Sequence, residues 1–132
     1  MFDHRDTETP RLSEVTEKII GAAINVHREL GPGLLESAYE ECLCFELSER
    51  GLAFARQVKL PVTYKNVKLD CGYRMDIVVC DLVVVELKTV EHLLRVHEAQ
   101  LLSYLKMANK PLGLLLNFHV SILKNGIKRL RY

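Results

Sequence analysis

The segment Tyr73-Arg-Met-Asp-Ile-Val-Val-Cys-Asp-Leu-Val-Val-Val-Glu-Leu-Lys88 decides how the 132-residue chain is read. Two β-branched runs flank Cys80-Asp81-Leu82, the pattern of adjacent antiparallel strands joined by a short loop. If the hairpin closes through an odd loop centred on Asp81, residues equidistant from Asp81 face each other. Asp76 then stands opposite Glu86, and Arg74 opposite Lys88. Side chains two apart share a strand face, so Asp76, Glu86 and Lys88 are expected to project together, with Ile77, Val83, Val85 and Leu87 on the other side.

Directly opposed carboxylates repel, and the apolar run around them makes desolvation add to the cost. A bound cation would relieve it. Oxygen donors without histidine or thiolate suit Mg²⁺ or Mn²⁺, which complete their shells with water and substrate phosphate. Such an ion could activate a water and neutralise charge on a phosphodiester, while Lys88 orients the nucleophile or stabilises developing negative charge. The plainer reading of an isolated E-x-K is a set of cross-strand salt bridges, with Asp76 paired to Arg74 or Lys88 on a solvated face.

Upstream, residues 1–11 are polar and expected to be flexible, leaving 12–132 as one domain. Ser13 is the expected cap of a helix whose apolar positions Val15, Ile19, Ala22, Ala23, Val26 and Leu30 recur at helical spacing, ended by Gly31-Pro32-Gly33. A second helix is expected over 35–50, with Ala38, Cys42, Phe45 and Leu47 inward and Gly51 as its stop. Residues 53–64 read as a strand, Lys65-Asn66 as a turn, and 67–79 as extended chain with an irregularity at Cys71-Gly72.

Downstream, 91–109 has helical periodicity and Pro111 ends it. His97, Gln100 and Tyr104 share one face of that helix, beside Leu93, Val96 and Met107. Leu112 to Asn117 reads as an interior strand, and 120–123 with 127–132 as a hairpin about Asn125-Gly126. The order ααβββαβββ defines an α/β arrangement of helices layered on a sheet. His27 reads as a structural hydrogen-bonder and Tyr39 as a packing residue. His97 is no more than a supporting residue for the site.

Composition excludes several classes. Lys plus Arg number 18 against 17 for Asp plus Glu, a net charge of +1, so there is no global field for nucleic acid and any basic footprint must be local. Candidates are Arg56, Lys59, Lys65, Lys68, Lys124, Lys128, Arg129 and Arg131. No apolar stretch is long enough to cross a bilayer or resembles a signal peptide, so a cytoplasmic protein without membrane contact is expected. Cys42, Cys44, Cys71 and Cys80 form no C-x-x-C pair, which favours reduced thiols over an iron–sulfur cluster.

The stretch Gly33-Leu-Leu-Glu36-Ser-Ala-Tyr39 matches a G-x-x-E-x-x-Y signature. Tyr73-Arg-Met-Asp76, Val85-Glu-Leu-Lys88, Gln100-Leu-Leu-Ser-Tyr104 and Leu116-Asn-Phe118 follow in order. On these blocks the chain resembles the GxxExxY family of small bacterial and archaeal proteins over nearly its whole length, and that family looks like a minimal branch of the PD-(D/E)xK nuclease superfamily. The resemblance implies a restriction-endonuclease-like core, a central mixed sheet flanked by helices.

It also implies site residues. Asp76, Glu86 and Lys88 take the D…E-x-K positions, Glu36 is an additional acidic residue, and Gln100 with Tyr104 matches the Q-x-x-x-Y element of RecB-like nucleases. Glu36 and Gln100 are thereby expected on one active-site rim. Met75 stands where the superfamily's name has proline. The implied activity is Mg²⁺- or Mn²⁺-dependent cleavage of nucleic acid, with DNA the expected substrate. Glu36, Asp76 and Glu86 would serve the metal, and Glu36, Asp76, Glu86, Lys88, Gln100 and Tyr104 would form the catalytic set. The alternative is a nuclease-fold module that binds nucleic acid or protein without turnover. A homodimer is expected only on the ground of small size.

Overall fold

The computed structural model describes the backbone of residues 4–132 and the side chains of residues 11–132. Five strands form one sheet in the order β1-β4-β5-β6-β7: β1 Phe54–Lys59, β4 Arg74–Val79, β5 Val83–Lys88, β6 Leu112–Asn117 and β7 Ile127–Arg131. Short strands β2 Val62–Tyr64 and β3 Val67–Leu69 pair separately as a hairpin. Only β5 and β6 run parallel, joined by the helix α3 Arg95–Ala108; the other neighbours are antiparallel. The sheet is therefore mixed, as expected of an α/β fold of this type.

Both faces of the sheet are covered, which is why β6, Leu-Gly-Leu-Leu-Leu-Asn, is buried at every position. Against one face lie α1 His4–Leu30 and α2 Glu36–Glu49, where Ile19, Val26, Leu43 and Leu47 pack with Ile77, Val79, Val85, Leu87, Leu114 and Leu116. Against the other lies α3, whose Leu101, Tyr104 and Leu105 pack with Val78, Val84 and Leu115. The helix approaches closely at Gly113, where an added β-carbon would stand 2.8 Å from a methyl group of Leu101.

Several expectations change. The first helix starts at His4, so Ser13 is interior and not its cap, and the flexible stretch expected over 1–11 has helical backbone from residue 4 onward. Charged and polar residues without an apolar period still favour helix when they extend an established one. Residues 1–3 lie outside the described ones. Leu30 ends α1 exposed. On α2 the inward residues are Tyr39, Glu40, Leu43, Cys44 and Leu47, while Phe45 is 63% exposed. A buried glutamate and an outward phenylalanine blur the amphipathic signal.

The 53–64 strand breaks at Leu60-Pro61, and the expected Lys65-Asn66 turn is present with φ of 50° and 66°. The irregularity at Cys71-Gly72 is present too, with Gly72 at φ 80° donating its N–H to Asp70 Oδ1 at 2.9 Å. α3 begins at Arg95, where His97 Nδ1 accepts the Leu94 N–H at 2.9 Å; His97 thus serves the helix start. Val96 and Met107 are exposed, not part of the buried face.

The tail forms no hairpin of its own. Residues 123–126 make a 3-10 turn, and β7 returns to pair with β6. Val120 and Leu123 instead pack into the α1–α2 side core, and His27 Nε2 lies 2.7 Å from the Val120 carbonyl, the structural bond expected of it. The element order is thus ααβββββαββ, with five strands before α3 and two after it, against the expected three and three.

Candidate active site

The β4–β5 ladder has the register read from the sequence: Ile77↔Val85, Val78↔Val84 and Val79↔Val83, turning through Cys80 and Asp81 at φ 52° and 57°. One step beyond it, backbone pairing gives way to side chains. The Asp76 N–H donates to Glu86 Oε1 at 3.2 Å, and the Leu87 N–H donates to Asp76 Oδ2 at 2.9 Å. Each carboxylate so accepts a backbone donor of the opposite strand, and this fixes both side chains at the strand ends. Arg74 and Lys88 do not face each other in the ladder; they are registered with Lys59 and Asn117 of the outer neighbours.

Strict alternation also breaks here. Met75 packs with the α3-side cluster of Val78 and Val84, whereas Ile77 and Val79 belong to the opposite core. The Asp76 carboxylate reaches across the strand gap to the Leu87 N–H. Beside it on β1, Gln57 has a left-handed backbone at φ 49°, and its Nε2 donates to Asp76 Oδ1 at 3.4 Å and Glu40 Oε1 at 2.8 Å.

Glu86 is 6% exposed. Burial first, and then the negative charge of Asp76, push its carboxyl from an ordinary 4.5 up to about 9, so near neutrality the pair retains a proton. Lys88 opposes this shift through its charge but forms no ion pair among the described residues, and neither does Arg74. The salt-bridge reading of Asp76 with Arg74 or Lys88 is thereby set aside. Glu36, the first residue of α2, is also raised, by burial and by Asp76, against the opposing effects of Lys88 and the Thr89 backbone N–H. It therefore lies within the field of the same group.

From the other layer, Tyr104 meets Tyr73 edge-on with ring centroids 5.9 Å apart. Burial raises its hydroxyl, followed by the charges of Glu86, Tyr73 and Asp76. Gln100, one turn earlier on α3, is exposed in a groove with Tyr73, Val96, Tyr104 and Met107. Glu36 does not line that groove; α2, which carries it, packs on the sheet face opposite to α3. Tyr39 is a packing residue: it is fully buried, stacks on Phe118 at 4.4 Å, and its hydroxyl donates to the Gly31 carbonyl and accepts the Leu34 N–H. It thereby fixes the turn that delivers Glu36.

Sequence reading missed two supports. Asn117 is 2% exposed; its Oδ1 accepts the Val90 and His119 N–H groups and its Nδ2 donates to the Val90 carbonyl, tying down the segment after Lys88. A lone polar residue ending a wholly apolar strand was the available signal. The other is the group Arg56, Glu40 and Gln57, in which Arg56 Nη2 donates to Glu40 Oε2 at 2.8 Å and Nη1 to Glu41 Oε1 at 3.0 Å. These partners take Arg56 out of the candidate phosphate contacts.

No group of three His, Cys, Asp or Glu side chains is gathered as a complete metal cage among the described residues. Two opposed carboxylate side chains nevertheless fit a hard divalent ion that keeps much of its water. The cysteines are free, and burial pushes Cys44 up to about 11, a protonated thiol unlike a cluster ligand. No helix among the described residues is long and apolar enough to cross a membrane.

Residues 13–130 match the family model of the PD-(D/E)XK nuclease superfamily, and the chain belongs to that superfamily. Its fold is consistent with the restriction-endonuclease-like core, and nucleases of the superfamily generally use divalent metal ions. Comparison with curated proteins and with solved structures gives no match.

Proposed function

We propose that the protein hydrolyses phosphodiester bonds in nucleic acid, with DNA as the substrate and Mg²⁺ or Mn²⁺ as the cofactor. The observation that carries this reading is Glu86, buried beside Asp76 at the end of paired strands with no cationic side chain in ion-pair contact among the described residues. Asp76 and Glu86 would hold the ion, with Glu36 as a further acid. When bound, the ion supplies positive charge to the scissile phosphate and lowers the pKa of an attacking water.

The chain's own residues do the rest. Lys88 sets its ammonium where it orients the nucleophile or meets charge developing on the phosphate. Tyr104, with Gln100 one turn away, orients a phosphate or water from the α3 side. Lys59, Lys65, Lys68, Lys124, Lys128, Arg129 and Arg131 remain candidates for backbone contact. The reading includes a cytoplasmic location and a homodimer, the latter checked by light scattering.

The test is cleavage of labelled single- and double-stranded DNA and RNA with Mg²⁺, with Mn²⁺ and with chelator, alongside Asp76→Asn. Metal-dependent cutting that Asp76→Asn abolishes supports the proposal. Cutting that survives chelation sinks it, and wild-type protein that binds without cutting establishes the inactive binding module instead.

A further inference from the structure

The geometry points to Gln57 as a positioning residue for Asp76, an assignment that rests on the nuclease reading for its functional meaning but not for its structural one. The observation is a relay of named bonds. Arg56 Nε and Nη2 donate to Glu40 Oε2 at 3.1 and 2.8 Å, Gln57 Nε2 donates to Glu40 Oε1 at 2.8 Å, and the same nitrogen donates to Asp76 Oδ1 at 3.4 Å. The other Asp76 oxygen accepts the Leu87 N–H at 2.9 Å. Both oxygens of Asp76 so have a donor, and the orientation of the carboxylate is defined from two sides.

The amide orientation follows from chemistry. Carboxylates accept hydrogen bonds and donate none when ionised, so the group facing both Glu40 and Asp76 is the amide nitrogen, with one hydrogen for each. The backbone argues for the same role. Gln57 lies between the β1–β4 pairs Arg56↔Ile77 and Val58↔Met75, which puts it opposite Asp76, and at φ 49° it adopts a conformation that glycine takes at lower cost. A glutamine kept there retains a side chain where the backbone would do better without one. Glu40, buried and pinned by Arg56, is the fixed end from which that side chain is held.

Gln57→Gly removes the side chain while suiting the backbone, so the expected result is an unchanged or raised thermal midpoint. Its metal-free crystal structure should show the Asp76 carboxylate rotated from the position held in the wild type. Calorimetric titration with Mn²⁺ alone should show affinity weakened about 10- to 100-fold, the usual effect of losing an outer hydrogen bond to a metal-binding carboxylate. Excess Mn²⁺ should restore kcat on cleaved DNA with KM little changed, a split that general destabilisation does not give.

An Asp76 carboxylate that keeps its wild-type orientation in Gln57→Gly overturns the assignment whatever the metal titration shows. Wild-type affinity for Mn²⁺ in Gln57→Gly overturns it too. Wild-type protein that binds no Mn²⁺ while Asp76 still rotates in Gln57→Gly counts against the nuclease reading and supports the positioning bond, so the two failures are separable.

Discussion

The backbone N–H of Asp76 donates to Glu86 Oε1 at 3.2 Å, which holds two acidic side chains so close that the charge of Asp76 helps to keep the proton on Glu86. Replacing one of them should stabilise the protein without metal. Asp76→Asn keeps an acceptor for the Leu87 N–H, which Asp76→Ala would leave unpaired, and so isolates the charge. We expect metal-free Asp76→Asn at pH 8 to gain about 1 kcal/mol, roughly 4 °C in Tm for a chain of this size, while Mn²⁺ binding and cleavage are lost. A lowered Tm with undiminished metal binding would contradict the repulsive pair.

The raised carboxyl of Glu86 fixes the sign of a pH dependence. In the folded protein Glu86 keeps its proton up to about pH 9, whereas unfolded it loses it near 4.5, so between these values the native state binds more protons. The stabilisation is complete below 4.5 and declines as pH rises through 9. Denaturation of metal-free protein from pH 5 to 9 should show this loss, and saturating Mg²⁺ or Mn²⁺ should reverse it. Calorimetry in buffers of different ionisation heat should record about one proton released per ion bound near neutrality. Stability independent of pH, with no proton release, would oppose the assignment.

Much of this centre was legible in the sequence because it is local. The odd loop about Asp81 determines which residues of β4 and β5 meet, and the alternation of Val83 to Lys88 sends Val83, Val85 and Leu87 into the core under α1 and α2, away from Glu86. Gln57 was not legible, since its partnership with Asp76 depends on β1 pairing with β4 across an intervening hairpin, and no local pattern encodes that register. The inward face of α2 was misread for a related reason: Glu40 is buried only because Arg56 and Gln57 arrive from β1 to satisfy it. The tail misled through Asn125-Gly126, whose turn signal is real but leads into a strand paired with β6.

Lys88 forms no ion pair among the described residues, so truncating it should leave packing intact. Lys88→Ala is expected to keep Tm within about 2 °C and Mn²⁺ affinity within a few-fold while lowering kcat about 100- to 1000-fold, the range for removing one group that stabilises developing charge. Unchanged kcat would remove Lys88 from the chemistry. A large fall in Tm would mark it as structural.

Asn117 makes the opposite case. Asn117→Ala strips partners from both the N–H and the carbonyl of Val90, at a cost of about 1–3 kcal/mol, and frees the segment after Lys88. Chemical denaturation should show the loss, and amide exchange should quicken at Val90. A variant as stable as the wild type would show that the bonds to Val90 contribute nothing.

Gly113 in β6 gauges the clearance between α3 and the sheet, because a single methyl group there would meet Leu101 at 2.8 Å. Tyr104 lies almost one helical turn beyond Leu101, so any residue larger than glycine at 113 would act as a wedge beneath the helix and lift the tyrosine from the acidic pair. The two positions can then change only in concert. A library randomised at both should admit alanine at 113 chiefly where 101 has shrunk to valine or alanine, which makes an interior contact a silent regulator of how near the phenol stands to the carboxylates.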